Sequence, residues 1–207
     1  MDRKLLIALI VVGLVVTTAG AGLYAYLVDT ETSSGNVFSA GTLDLKTMDQ
    51  DERRWKDGVT ATWTVSGMKP GDVFTFPDEW VALSWNGTVT PSSLEITCDY
   101  SVIEEEPQTE ADTDPYTNLH PDKMAKQMII LSMKYNDVEY ADKISDVDED
   151  GKITFYDLKN SPLTGLPIPA RTNGGTFFKL QVKFSEEAGN DFQGDTFNLT
   201  MIFTLKQ

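Results

Sequence analysis

Phe177-Phe178-Lys179-Leu180-Gln181-Val182-Lys183-Phe184 decides the fold class. Phe178, Leu180, Val182 and Phe184 fall on one side of an extended chain, and Phe177, Lys179, Gln181 and Lys183 on the other. A period of two belongs to a strand with one buried and one wet face. Residues 196–205 repeat the theme. Phe197, Leu199, Ile202 and Leu205 are their apolar positions, with slips that predict a bulge or burial on both faces.

Working outward, similar runs recur at 37–46, 59–66, 80–85, 94–103 and 127–135. Turn chemistry separates the runs: Lys69-Pro70-Gly71-Asp72, Asn86-Gly87 and Asn173-Gly174-Gly175. No long stretch beyond the N-terminal segment has helical periodicity. The pattern predicts an all-β, two-sheet antiparallel sandwich of jelly-roll type over residues 47–207. Two segments interrupt the strand rhythm. Residues 104–115, from Glu104-Glu105-Glu106-Pro107 to Asp114-Pro115, are acidic and poor in apolar groups, and read as a solvated loop. Residues 142–171 read as an insertion.

The N-terminus carries a different signal. Asp2, Arg3 and Lys4 form a short, net positive start, and no charge follows from Leu5 to Leu27. Such a run is long enough to span a bilayer. The small residues Thr17 to Gly22, with Ala25 after them, mark a cleavage zone. Residues 1–26 therefore read as a signal peptide, with retention as a membrane anchor, or as a pilin-like helix, as the alternatives. All three place the rest of the chain outside the cytoplasm, at the cell surface or beyond it.

Charge narrows the function. Seventeen Lys+Arg stand against 32 Asp+Glu, a formal net charge of −15. That balance argues against nucleic acid and against anionic membrane surfaces, leaving the N-terminal segment as the chain's route to a membrane. A single cysteine, Cys98, excludes an internal disulfide framework, and a single histidine, His120, excludes every two-histidine zinc site. Cys98 sits in a strand pattern and reads as a packed thiol. His120, next to Pro121, reads as a loop residue. Trp63, Trp80 and Trp85 read as sandwich packing. Asn86-Gly87-Thr88 and Asn198-Leu199-Thr200 match the glycosylation pattern, the second only if Asn198 faces outward. Nothing in the pattern selects a catalytic group, and the expectation is of a protein that is not an enzyme.

The sharpest chemical motif lies within 142–171. Residues 146–157 read Asp-Val-Asp-Glu-Asp-Gly-Lys-Ile-Thr-Phe-Tyr-Asp, the pattern D-x-D-x-D-G followed by five residues and an acid. A hard divalent cation takes six to eight oxygens. Asp146, Asp148 and Asp150 occupy loop positions 1, 3 and 5, and Gly151 allows the sharp reversal. Lys152 offers its carbonyl, Thr154 binds directly or through water, and Asp157 closes the shell. The expected cofactor is calcium. The loop resembles those of dockerins, although a dockerin has two repeats and only one is found here.

Residues 28–45 read Val-Asp-Thr-Glu-Thr-Ser-Ser-Gly-Asn-Val-Phe-Ser-Ala-Gly-Thr-Leu-Asp-Leu. An apolar residue, Asp, a Thr/Ser-rich stretch, Asn, and then Phe-x-Ala-Gly-Thr-Leu-Asp-Leu is similar to the entry signature of TasA/camelysin-type proteins. Met68-Lys69-Pro70-Gly71-Asp72 and Asn86-Gly87-Thr88 agree less sharply. The resemblance implies a secreted jelly-roll subunit, processed by a dedicated signal peptidase, that polymerises head to tail with itself into surface or biofilm-matrix fibres. In such fibres an extended N-terminal arm completes a sheet in the next subunit. Residues 27–46 hold the arm and first strand here, with 26–38 as the candidate donor. The rival reading of the arm is an ordinary first strand of its own domain. Rival functions are a membrane-anchored, monomeric, calcium-dependent adhesion module and a camelysin-like metallopeptidase.

Overall fold

The computed structural model describes residues 29–32, 45–49, 54–55, 63–104, 116–171, 175–192 and 194–207. The export segment, most of the 28–45 signature, the acidic stretch 105–115 and the turn residues Asn173 and Gly174 lie outside the described residues. None of the described helices is long and apolar enough to cross a membrane.

The expected all-β sandwich is what forms. In chain order the strands are β1 (Asp29–Thr32), β2 (Leu45–Asp49), β3 (Trp63–Val65), β4 (Val73–Trp85), β5 (Ser93–Ile103), β6 (Met128–Tyr135), β7 (Val138–Glu139), β8 (Leu163–Leu166), β9 (Thr176–Phe184) and β10 (Thr196–Lys206). One sheet runs β1-β10-β5-β8, with β3 also on β10, and the other runs β2-β4-β9-β6-β7. Every pairing is antiparallel. From β3 to β6 the chain changes sheet at each step, so neighbours in sequence face each other across the core.

The alternation read in β9 is the alternation of burial: Phe178, Leu180, Val182 and Phe184 are inside. In β10 it is stricter than the sequence suggests. Phe197, Leu199, Met201, Phe203 and Leu205 all point inward, and all eleven residues pair with β5 without a register shift. Ile202 lies half-buried on the other face, beside buried Thr204, and no bulge interrupts the pairing. Trp63 and Phe203 from one sheet meet Phe178 from the other, with ring centres 6.4 and 5.2 Å from Phe178. Trp85 and Cys98 are likewise buried.

Strand β4 begins seven residues before the expected 80–85. Pro77, which has no N–H to donate to a ladder, lies inside it. The strand passes it at a register shift between Phe76 and Val81, where the partner β9 continues. The turn into β4 is the one that Lys69-Pro70-Gly71-Asp72 encodes. Gly71 has φ +91°, and Asp72 N donates to Lys69 O at 3.0 Å. Asn136 and Asp137, at φ 54° and 58°, make the left-handed pair that a two-residue hairpin between β6 and β7 needs.

The described helices are short, in keeping with the lack of helical periodicity there. The helix α1 (Pro121–Ala125) starts on proline and buries Met124 and Ala125, and α2 (Phe155–Asn160) buries Phe155 and Leu158. Segment 142–171 is built into the sandwich. It supplies β8 to the edge of β5, and α2 packs on β5. The Cys98 Sγ donates to Phe155 O at 3.5 Å, and the Thr97 hydroxyl to Leu158 O at 3.2 Å.

Candidate functional site

The loop at 146–157 is shaped by its own backbone donors. Asp146 accepts from Gly151 N at 2.8 Å and Asp150 N at 3.2 Å, which curls the chain around the carboxylate. The curl needs left-handed backbone at Glu149 (φ 58°) and Gly151 (φ 79°). Glycine adopts it without strain, and this is the reversal read at position 6.

Asp157 closes the loop from inside. It is fully buried, and its carboxylate accepts from Val147 N at 2.9 Å, Thr154 N at 2.8 Å and the Thr154 hydroxyl at 2.7 Å. Thr154 and Asp157 together form the capping box that starts α2. The loop's closing acid is thus also a helix cap, so loop and helix form as one unit.

Carboxylate oxygens of Asp146, Asp148 and Asp157 lie within 4.8 Å of one another. Such an all-oxygen group can hold a metal, and it suits a hard cation. The other residues of the motif are placed differently. Asp150 Oδ1 accepts from Lys152 N at 2.8 Å and stands apart from the three. The Lys152 ammonium turns out of the loop to Glu187 at 2.5 Å. The Thr154 hydroxyl is engaged with Asp157.

Sequence spacing misses two features of the site. The first is Lys126 at the end of α1, whose Nζ lies 2.9 Å from Asp148 Oδ2 and 4.2 Å from the centre of the Tyr156 ring. The Lys126 hydrogen bond holds the Asp148 carboxyl below its ordinary range, and Asp148 in turn raises Lys126. No local pattern marks Lys126, because the fold alone carries α1 to the loop. The second is the loop's support. Ile130 N donates to Ile153 O at 2.7 Å, and Ile129 bridges to Thr154. β7 covers only the Lys134–Tyr135 end of β6, and the loop covers the Ile129–Ile130 stretch. A strand of the sandwich thereby pairs with the backbone of the loop.

Beside the loop is a cleft of about 450 Å³ lined by Leu119, His120, Pro121, Lys123, Lys126 and Tyr156. His120 is exposed at its rim, between a turn of 3-10 helix (Thr117–Leu119) and α1. Burial pushes the Cys98 thiol far above its ordinary value, so it stays protonated and packed. Asn86 is exposed, whereas the Asn198 amide oxygen accepts from the Thr64 hydroxyl at 2.8 Å.

No match is found among curated proteins. A family model described as Camelysin metallo-endopeptidase matches residues 1–207, the whole chain. The signature at 28–45 and the two-sheet fold point the same way, and the protein belongs to the camelysin metallo-endopeptidase family, in which TasA-like proteins are grouped.

Proposed function

We infer that this chain is an exported structural subunit that polymerises into extracellular fibres by strand exchange, with one calcium-binding loop. Membership of a family whose members are exported or surface-associated supports the location. The observation that carries polymerisation is the place of β1. Its four residues lie inside the 26–38 arm and pair with the outer edge of β10, from Asp29 opposite Leu205 to Thr32 opposite Ile202. β3 takes the neighbouring stretch of that edge, opposite Phe197 to Leu199.

Here β1 folds on its own domain. The same ladder forms equally well when the strand comes from a neighbour, because main-chain hydrogen bonds supply the affinity. Exchange of an identical element between copies is a low-cost route to assembly, and a head-to-tail exchange that does not close produces a filament. Strand β1 reads Asp-Thr-Glu-Thr, a run without an apolar residue.

The acid group supports the calcium part of the reading. Three carboxylates suit a hard cation, and millimolar calcium outside the cell fills even weak loops. The family description implies a metal in a peptidase. A zinc peptidase centre is built largely on histidine nitrogen, and these three oxygens do not fit that chemistry. The peptidase reading draws on the family description, and its test is peptide hydrolysis by the wild type and by His120→Ala, with and without chelator.

The experiment for the main reading is deletion of residues 27–36. The shortened chain is expected to fold, since the core strands remain, and to form no fibres under the electron microscope. Fibres of normal yield from the shortened chain would remove this arm as the donor.

A further inference from the structure

The acid group carries a counter-cation of its own. Lys126 joins α1 to the loop through Asp148 and leans on Tyr156, the residue before Asp157. Lys152, the loop's internal cation, is directed to Glu187 instead. The Lys126 side chain is 38% exposed and that of Asp148 is 18%, so water screens the pair only in part. We propose that Lys126 is the affinity-determining residue of the loop: its ammonium competes with calcium for Asp148 and sets the calcium concentration at which the loop fills. This rests on the calcium reading above.

The competition follows from the geometry. Asp148 has two oxygens, and Lys126 already occupies Oδ2. A divalent ion that takes Oδ2 must displace the ammonium. One that approaches through Oδ1 settles within a few ångströms of a like charge. Both routes lower affinity. Without a cation the effect reverses, because Lys126 neutralises one of the carboxylates that would otherwise repel one another. A lysine in this place keeps the empty loop formed and raises the threshold for filling it, which suits a protein bathed in millimolar calcium.

The test is calorimetric titration of the chelator-treated full chain with calcium chloride at fixed ionic strength. Wild type, Lys126→Met, Lys126→Gln and Lys126→Arg are compared. Removing the charge is expected to tighten calcium binding about three- to tenfold, the size of a partly screened ion pair plus one like-charge repulsion. Lys126→Arg, which keeps the charge, is expected to bind as the wild type does. In chelator, Lys126→Met and Lys126→Gln are expected to melt below the wild type, so their calcium-dependent rise in Tm is the larger one. Unchanged or weaker calcium binding in the two neutral variants, with the wild type binding normally, would overturn the role of Lys126 alone. Absence of calcium heat and of a calcium-dependent Tm in all four folded proteins would overturn the calcium reading, and this inference with it.

Discussion

At the residue scale, the site is built from carboxylates whose partners differ in kind. Asp157 is held by three donors inside the protein, whereas Asp146 and Asp150 hold turns of exposed backbone. This division predicts different consequences of substitution. Asp146→Ala with Asp150→Ala is expected to leave the core intact and to remove one carboxylate of the converging three and a second that the motif reads as a ligand. The wild type is expected to gain about 2.7 kcal/mol when calcium stands at one hundred times its dissociation constant, and the double variant to lose most of that gain. Melting temperatures in calcium and in chelator measure it. Equal shifts in the two proteins would place the calcium elsewhere. That Asp146, Asp148 and Asp157 come together is legible in the sequence, because the motif is local; that Asp150 stands apart from them is not. Lys126 was not, because only the packing of α1 brings it there. The burial of Asp157 was not legible either, since the same Thr-x-x-Asp serves loop and helix cap at once.

At the element scale, segment 142–171 is bound into the sandwich through α2 and β8. Phe155 is fully buried, stacks on Phe197 with ring centres 5.9 Å apart, and directly follows the loop's Thr154. Phe155→Ala is therefore expected to destabilise the whole domain by about 3–5 kcal/mol, the usual cost of a large core truncation. Urea denaturation followed by far-UV circular dichroism checks this. A loss below about 1 kcal/mol would show that the segment is a detachable appendage. Strands with strict alternation, such as β5 and β9, could be read directly. β1, β7 and β8 could not. Asp29–Thr32 has no apolar face, Val138–Glu139 is too short for a period, and Leu163–Leu166 buries only its ends. Each of these pairs through its backbone, which composition does not report.

At the scale of the whole molecule, a formal charge of −15 sets copies of the chain against one another, and cations weaken that repulsion. What would then hold the proposed fibre is a directional contact, and the edge of β10 offers one. Its pairing with the chain's own β1 is a ladder that a neighbour's strand would reproduce under the proposed exchange. The distinction is one of connectivity, and a covalent cross-link reads connectivity directly. Thr30 and Thr204 are partners across the ladder, while Cys98 is buried and does not compete. Two single variants, Thr30→Cys and Thr204→Cys, would be mixed, assembled into fibres and oxidised. Neither carries both cysteines of the pair, so a disulfide between positions 30 and 204 forms only between two chains. The account predicts a covalent dimer on a non-reducing gel from the mixed fibres, absent from either variant alone. Fibres that form normally from the mixture and yield no dimer, while the double variant closes the same disulfide within one chain, would contradict it.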